Sequence, residues 1–498
     1  MLDRTAPVTH GAAWDAARRE RYVVLAAAAA LILLRSVVPL VHEGFYFDSD
    51  QAIIGLMARR LSSLEGFPLF YDGLNYILGV ESWIIAPFFW IARPSVAVMR
   101  VPLVALNVAA GVWLVVAIGR RLGVRPLVAF AGALPFIMPA PVVASQLLET
   151  AGACVEPFVY VLLLWHLRQR GFAFGAVLAL GYLHREFTIF ALPALVIVEA
   201  AGGAVMDGPN LRRAARMAAG FGAVWLAVDA VKIYQAGGSL GLQAVSLAGQ
   251  MCFAPEELGP RAVTVFTQAL PVLYGGMDTR LSNFRMNTDA TDGSAIVGWM
   301  VGIALVVMLV RLARRWYRVR RIEAGETTFV YLALVGAFTM AVYPLSCNID
   351  PVHQPILRYI LLGLLIPIGV FGAFMWGEPS RALRALVPAA FALWAAANLA
   401  DNIILIRTSA KAPPSNEHRV LADYLVSHQI RYARAIYWDA YAVDFLARER
   451  VTVSSVDLVR IPRYQQIVDA NEAFAYNLPR VPCSGGPQIA SWCIQPPR

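Results

Sequence analysis

The 498-residue chain is 58% apolar and only 15% charged, with a formal net charge of +9. Its apolar residues come in long uninterrupted runs, not at strand or helix periodicity, which excludes disorder, a coiled coil, a disulfide miniprotein and an ordinary soluble enzyme. The basic excess does not point to nucleic acid, because the arginines gather in alternate loops between apolar runs, where basic residues orient membrane spans.

Windows of about 20 residues, the length that crosses a bilayer, predict spans in chain order at 22–41, 97–119, 126–144, 151–167, 172–183, 187–200, 214–233, 294–310, 327–347, 356–376 and 383–406. With the N-terminus inside, the inner loops receive Arg18, Arg19 and Arg21, then Arg120, Arg121 and Arg125, then Arg168 and Arg170, then Arg212, Arg213 and Arg216. The cluster from Arg311 to Arg321 and the pair Arg381 and Arg384 also fall inside. Every short inner loop is basic, so the expectation is a multi-pass protein of a bacterial inner membrane, N-terminus cytoplasmic and C-terminus outside. Arg18 to Arg21 resemble the charged start of a secretory leader, but Tyr22 to Val41 is longer than a leader's apolar core and no A-x-A-like site precedes His42; the run reads as a retained span.

This orientation divides the chain into a membrane domain, 1–406, and a small external module, 407–498. Two large outer loops belong to the first part. Residues 42–96 open polar, carry a helical stretch from Gln51 to Leu64 and end in a short apolar segment, Trp83 to Trp90, suited to the interface. Residues 234–293, rich in Gly, Asp and Asn, read as loop. Beyond the linker "KAPPSNEHR", the module reads as α/β: helical at Ala422–Gln429, strand-like at Ala435–Trp438 and Val451–Val453. All five cysteines, Cys154, Cys252, Cys347, Cys483 and Cys493, fall in outer segments or at outer helix ends. Cys483 and Cys493, ten apart in a tail with little core of its own, form a candidate disulfide in an oxidising compartment, whereas Cys154 and Cys347 read as unpaired.

The chemistry lies at the outer face. "HEGFYFDSDQ" follows the first span and opens a helix; Asp48 or Asp50 suits an N-cap and equally a reactive carboxylate. The longer stretch "DSDQAIIGLMARRLSSLEGFPLFYDGLNYILGVESWIIAP" resembles the first external loop of bacterial GT-C glycosyltransferases, the family 39-like, ArnT-like enzymes that use polyprenyl-phosphate sugars. Asp50 matches the family aspartate, Gln51 stands where a glutamate is usual, with Asp48 completing a D-x-D, and Val80-Glu81-Ser82-Trp83 lies near the family's "SLEAY". Further on, Glu156 in "TAGACVEPFVY" matches an external acid before the fourth span, and Arg358 and Tyr359 in "HQPILRYILLGLLIP" match the family's "RYLLPLLP". The resemblance covers about residues 22–376. It implies an all-α polytopic membrane protein of about 11 transmembrane helices, GT-C-like, with interfacial helices in the first external loop and the small α/β module appended.

Implied with it is a glycosyltransferase that moves a sugar, with inversion, from a polyprenyl-phosphate donor to a cell-envelope acceptor, whether lipid, glycan or protein. Asp50, or Asp48, would be the base. Arg358 would hold the phosphate through its fixed array of donors; alternatively it snorkels at a span boundary. Tyr359, His353 and Arg185 join the donor-phosphate set, while Glu156, His184 and Glu186 form an acceptor-binding or acid cluster. His184-Arg185-Glu186 reads equally as a turn with an internal ion pair, and Asp350 and His353 as solvated loop residues. A divalent cation, Mg or Mn, is compatible with Asp48, Asp50 and Glu156, because the family includes metal-using and metal-free members. The competing classes are a transporter or lipid flippase and a noncatalytic envelope scaffold; the absence of an internal repeat and the clustering of charges at one face argue against transport.

Overall fold

The computed structural model describes residues 10–45, 47–74, 76–150, 153–203, 207–236, 251, 254–274, 280–282, 285–287, 292–319, 321–346, 357–483 and 486–497. The first half of the chain supplies α1 (His10–Val41), α2 (Ser49–Ser62), α3 (Val80–Ile91), α4 (Val96–Leu122), α5 (Pro126–Ile137), α6 (Pro141–Gln146), α7 (Glu156–Leu167), α8 (Gly171–His184), α9 (Ala191–Ala201) and α10 (Gly208–Ala236). Helices Asp292–Val319, Thr327–Val342, Leu365–Gly377 and Arg381–Lys411 complete the bundle. Among the described residues, five helices are long and apolar enough to cross a bilayer: Arg18–Val41, Val96–Leu122, Gly208–Tyr234, Thr327–Leu345 and Arg381–Lys411. The chain is a multi-pass membrane protein.

The other apolar helices are shorter than expected, and their ends have physical causes. The run 126–144 is two helices, because Pro139 and Pro141 remove amide donors at its middle. The carbonyls freed there are met from another helix: Asn398 and Asn402 donate to the carbonyl oxygens of Met138 and Pro139, at 3.1 and 3.5 Å. Broken backbone at membrane depth is tolerated where protein groups satisfy it in this way. Elsewhere the packing depends on small residues. A Cβ on Gly175 of α8 would lie 1.8 Å from the Met217 carbonyl oxygen of α10, and one on Gly220 would lie 2.0 Å from that of Phe172.

Several local expectations need correction. The segment 234–293 is not all loop: helices Pro255–Thr264 and Leu270–Tyr274 lie within it, the first started by Pro255 with Glu256 and Glu257 in its opening turn, where carboxylates favour a helix. Tyr437 and Trp438 are not strand. The strand is Tyr432–Ala435, and a helix, Tyr437–Leu446, begins immediately after it. Helix Glu417–Ser427 starts earlier than its apolar pattern because Asn416 caps it, accepting from the Arg419 amide at 3.1 Å.

In the module, strand Tyr432–Ala435 is flanked in parallel by Thr452–Ser455 and Ala475–Asn477, with helices Tyr437–Leu446 and Pro462–Asp469 as the crossovers. Its apolar interior continues into the first loop: Phe47, Ile53, Met57 and Phe89 belong to the same buried cluster as Leu421, Tyr441, Phe445 and Val453. A Cβ on Gly55 of α2 would approach the Phe445 ring to 2.5 Å, so the glycine allows close seating. Ion pairs Arg59–Glu449 (2.9 Å) and Arg419–Glu43 (2.7 Å) flank this seam. The expected disulfide is present, joining Cys483 and Cys493 with Cα atoms 5.0 Å apart, a normal separation. Cys154 is a buried free thiol, while Cys252 and Cys347 lie outside the described residues.

Candidate active site

Asp48 is the N-cap of α2: its side chain accepts from the Gln51 amide at 3.0 Å, which places Asp50 in the first turn of the helix. The helix brings Asp50 to a point where two distant parts of the chain converge on it. Arg358 Nη1 donates to Asp50 Oδ2 at 3.4 Å across 308 residues. The Tyr437 hydroxyl, from the module, donates to Asp50 Oδ1. Tyr71 adds a bond to the Asp50 main-chain oxygen at 3.2 Å. The Asp50 and Arg358 side chains stay about one-fifth exposed, at 20% and 22%, so the pair is partly shielded and still reachable.

The carboxylates around this pair are under strain of a specific kind. Burial, and then the neighbouring charge of Asp50, push the Asp48 carboxyl up to about 6. Glu149, between α6 and α7, is 5% exposed. Burial and then the charge of Asp48 raise it well above the carboxylate range, while Arg358 opposes the shift. Arg100 also opposes the Glu149 shift; buried at 2% exposure, it donates to the carbonyls of Pro39 (2.5 Å) and Phe45 (2.8 Å) and to Gln51 Oε1 (3.4 Å). Gln51, at the position where the resemblance led one to expect a carboxylate, is therefore part of the clamp between α4 and the first loop.

Tyr359 and Arg185 stand beside Arg358. The Arg358 and Arg185 guanidinium carbons each lie 5.6 Å from the centre of the Tyr359 ring, and Phe187 meets that ring edge-on at 5.4 Å. Two arginines and an aromatic thus line one side of the site. His353 and Asp350 lie outside the described residues.

The acid cluster is divided differently from expectation. Glu156, 3% exposed, has Glu81 as the leading charge acting on it. Glu81 Oε1 accepts from the Ala153 amide at 2.6 Å, and Tyr160, close to both glutamates, bonds through its hydroxyl to His184 Nδ1 at 3.2 Å. Tyr160 thus bonds to His184 while the charge of Glu156 acts on it. Glu186 does not join them; its charge acts on Tyr182. Neither is an internal Arg185–Glu186 pair present among the described ion pairs. Nor is a three-carboxylate metal cradle assembled from Asp48, Asp50 and Glu156: among the described residues no group of three His, Cys, Asp or Glu side chains is arranged to hold a metal ion.

Three participants were missed from sequence. Glu149 carried a usable signal, a lone acid between two apolar runs. Tyr71 had only its place in the polar loop. Tyr437 had none, because its segment reads as strand and its partner is 387 residues away.

No protein-family model matches the chain, and no curated protein does. Among solved structures, the oligosaccharyltransferase of Archaeoglobus fulgidus, tethered with an acceptor peptide containing the NVT sequon through a disulfide bond, matches with a TM-score of 0.51 at 12% identity, over 92% of this chain and 69% of its own. ArnT from Cupriavidus metallidurans bound to undecaprenyl phosphate matches at 12% identity over 92% of this chain and 93% of its own, with a TM-score of 0.43. The first likeness establishes a shared fold, the GT-C-like polytopic architecture expected from the first-loop motif.

Proposed function

We propose that the protein is a membrane glycosyltransferase that transfers a sugar from a polyprenyl-phosphate donor to a cell-envelope acceptor at the outer face of a bacterial inner membrane. The observation that carries this reading is the Asp50–Arg358 contact, which joins the first loop to the region after residue 356 in a largely shielded but reachable site. A polyprenyl-phosphate sugar has its tail in lipid and its phosphosugar at the interface, and it needs a cation and a base at that depth.

In this reading the donor phosphate lies against Arg358, with Arg185 beside it, and the acceptor hydroxyl reaches Asp50. Asp50 takes the hydroxyl proton as the acceptor oxygen bonds to the anomeric carbon. The bond from that carbon to the phosphate oxygen breaks, its electron pair leaves with polyprenyl phosphate, and the configuration inverts. Positioning and charge stabilisation by the arginine supply most of the rate. Glu81, Glu156, Tyr160 and His184 form a polar wall suited to hydroxyl groups of the sugar or acceptor. The external location of the module and the cytoplasmic location of the N-terminus belong to the same proposal.

The test is mass spectrometry of envelope glycans from cells lacking the gene, complemented with wild type or with Asp50→Asn. Asparagine keeps the side chain's size and removes the proton acceptor. A glycan lost on deletion should return with wild type and remain at least ~10²-fold depleted with the variant. Full restoration by Asp50→Asn overturns the assignment of the base.

A further inference from the structure

Helix Asp292–Val319 ends in a run of arginines, and the spacing of Arg311, Arg314, Arg315 and Arg318, at three and four residues, puts all four on one face. Between that face and the end of helix Leu365–Gly377 is a cavity of about 460 Å3, lined by the four arginines with Phe374 and Glu378. It lies far from Asp50. Arg358 precedes helix Leu365–Gly377 and Glu378 follows it, and 13 residues at about 1.5 Å each make the helix roughly 20 Å long. Two of the arginines are fixed in the cavity wall. Arg311 Nη1 donates to both carboxylate oxygens of the buried Glu378, at 2.9 and 3.1 Å. Arg315 donates to the buried Glu326 at 3.1 Å and pairs with Glu323 at 3.0 Å. A Cβ on Gly377 would lie 1.7 Å from Arg315 Nη1, so the glycine lets that guanidinium pass. The other two arginines differ: among the described residues, the side chains of Arg314 and Arg318 are exposed and make no ion pair or hydrogen bond.

The face that carries Arg314 and Arg318 continues along the helix as an apolar stripe. Ile303, Val307 and Val310 are 63%, 40% and 43% exposed and follow the same spacing of three and four, and Tyr317, 81% exposed, stands at the level of the arginines. A molecule that fits both features has hydrocarbon chains on the stripe and a negative charge at the helix's end. We propose that the cavity holds the phosphate of an anionic membrane phospholipid, with Arg314 and Arg318 as its donors and the acyl chains along helix Asp292–Val319. The planar fork of an arginine meets two phosphate oxygens at once. Arg311 and Arg315, already engaged by carboxylates, shape the wall. A zwitterionic lipid would bring its ammonium group against a rim of four arginines, which repels it. Tyr317 suits the headgroup level, where amphipathic aromatic rings gather. The site is independent of the chemistry proposed at Asp50.

The test uses the delipidated full chain in detergent micelles, titrated with dioleoyl phosphatidylglycerol and, as the zwitterionic control, with dioleoyl phosphatidylcholine; bound lipid is read by native mass spectrometry. Wild type should bind phosphatidylglycerol at least about tenfold more tightly, the scale of a hydrogen bond to a charged group. Arg314→Gln with Arg318→Gln should abolish that preference. Arg212→Gln with Arg216→Gln removes the same charge from another basic loop and should leave the preference in place. Equal binding of the two lipids by wild type overturns the inference, as does an unchanged preference in the Arg314/Arg318 variant. An equal loss in both variants overturns it too, because it marks diffuse attraction to the basic face and no built site. Glycerol 3-phosphate, a phosphate without chains, separates the two sources of the anion: in large excess it should fail to displace phosphatidylglycerol, and displacement would make the cavity a site for soluble phosphates and refute the lipid assignment. If the double variant does not accumulate as a monodisperse protein, Arg318→Gln alone carries the same comparison.

Discussion

Asp439 offers the most direct test of how the module holds its shape. Its carboxylate, fully buried at 0% exposure, accepts from His418 Nε2 at 2.9 Å, from Arg480 Nε at 2.9 Å and Nη2 at 2.5 Å, and from Trp492 Nε1 at 2.8 Å. These partners come from helix Glu417–Ser427 and from the tail, so one side chain ties three parts of the module together. Burial opposes the charge, yet the donors from Arg480, His418 and Trp492 outweigh it and hold the carboxyl at about 2, below its ordinary 3.8. That difference corresponds to roughly 2–3 kcal/mol, since one pK unit is about 1.4 kcal/mol. The sign follows from linkage: the folded carboxyl is the stronger acid, so its contribution is present above about pH 4 and is lost as pH falls toward 2. Asp439→Asn puts an NH2 where an acceptor oxygen stood, and should cost about the same 2–3 kcal/mol at neutral pH. The assay is hydrogen exchange by mass spectrometry on peptides covering residues 437–446 and 488–493. If exchange proceeds through local opening, such a loss speeds it by roughly 30- to 150-fold. The gap between wild type and variant should also narrow between pH 4 and pH 2.5, because wild type loses its advantage there. Equal exchange in the two proteins at neutral pH, or a gap independent of pH across that range, would refute the reasoning.

Three other expectations follow from the same geometry. Replacing Cys483 and Cys493 together by serine opens a loop of about ten residues and should lower the tail's stability by roughly 2–3 kcal/mol, read as faster proteolysis after residue 480 with the rest of the module intact. Gly175→Val drives a side chain into the Met217 carbonyl of α10, which cannot rotate aside as a side chain would; the expected cost is more than about 3 kcal/mol, seen as a lower thermal aggregation midpoint, whereas Gly222→Ala, with nothing within 4 Å of its added Cβ, should behave as wild type. Asp48 has its carboxyl raised to about 6, so its stabilising contribution is complete below about pH 4 and disappears as pH rises through 6; Asp48→Asn, which retains capping ability, should flatten the change in thermal midpoint between those values, and an unchanged slope counts against the assignment.

The membrane character and the alternation of basic loops were legible because both rest on composition: a bilayer demands long apolar runs, and basic residues mark one side of them wherever the helices later pack. Asp50 and Arg358 were legible through a local motif and through the oddity of an arginine at the start of a long apolar run. Helix boundaries were less so. The break at Pro139–Pro141 is visible as two prolines, but its tolerance at membrane depth depends on Asn398 and Asn402 arriving about 260 residues later. The action of Glu81 on Glu156, and the bond from Tyr160 to His184 beside it, likewise depend on how α3, α7 and α8 pack, because a carboxylate's neighbours in a low-dielectric interior are whichever groups lie within a few ångströms. Tyr437 is the clearest case. Nothing within ten residues of it marks it as part of a site, and it reaches Asp50 only because the module buries Phe445 against Gly55 and so shares an apolar cluster with the first loop. Hydropathy is additive along a chain and can be read residue by residue; a hydrogen bond across 387 residues exists only after burial has brought its two ends together.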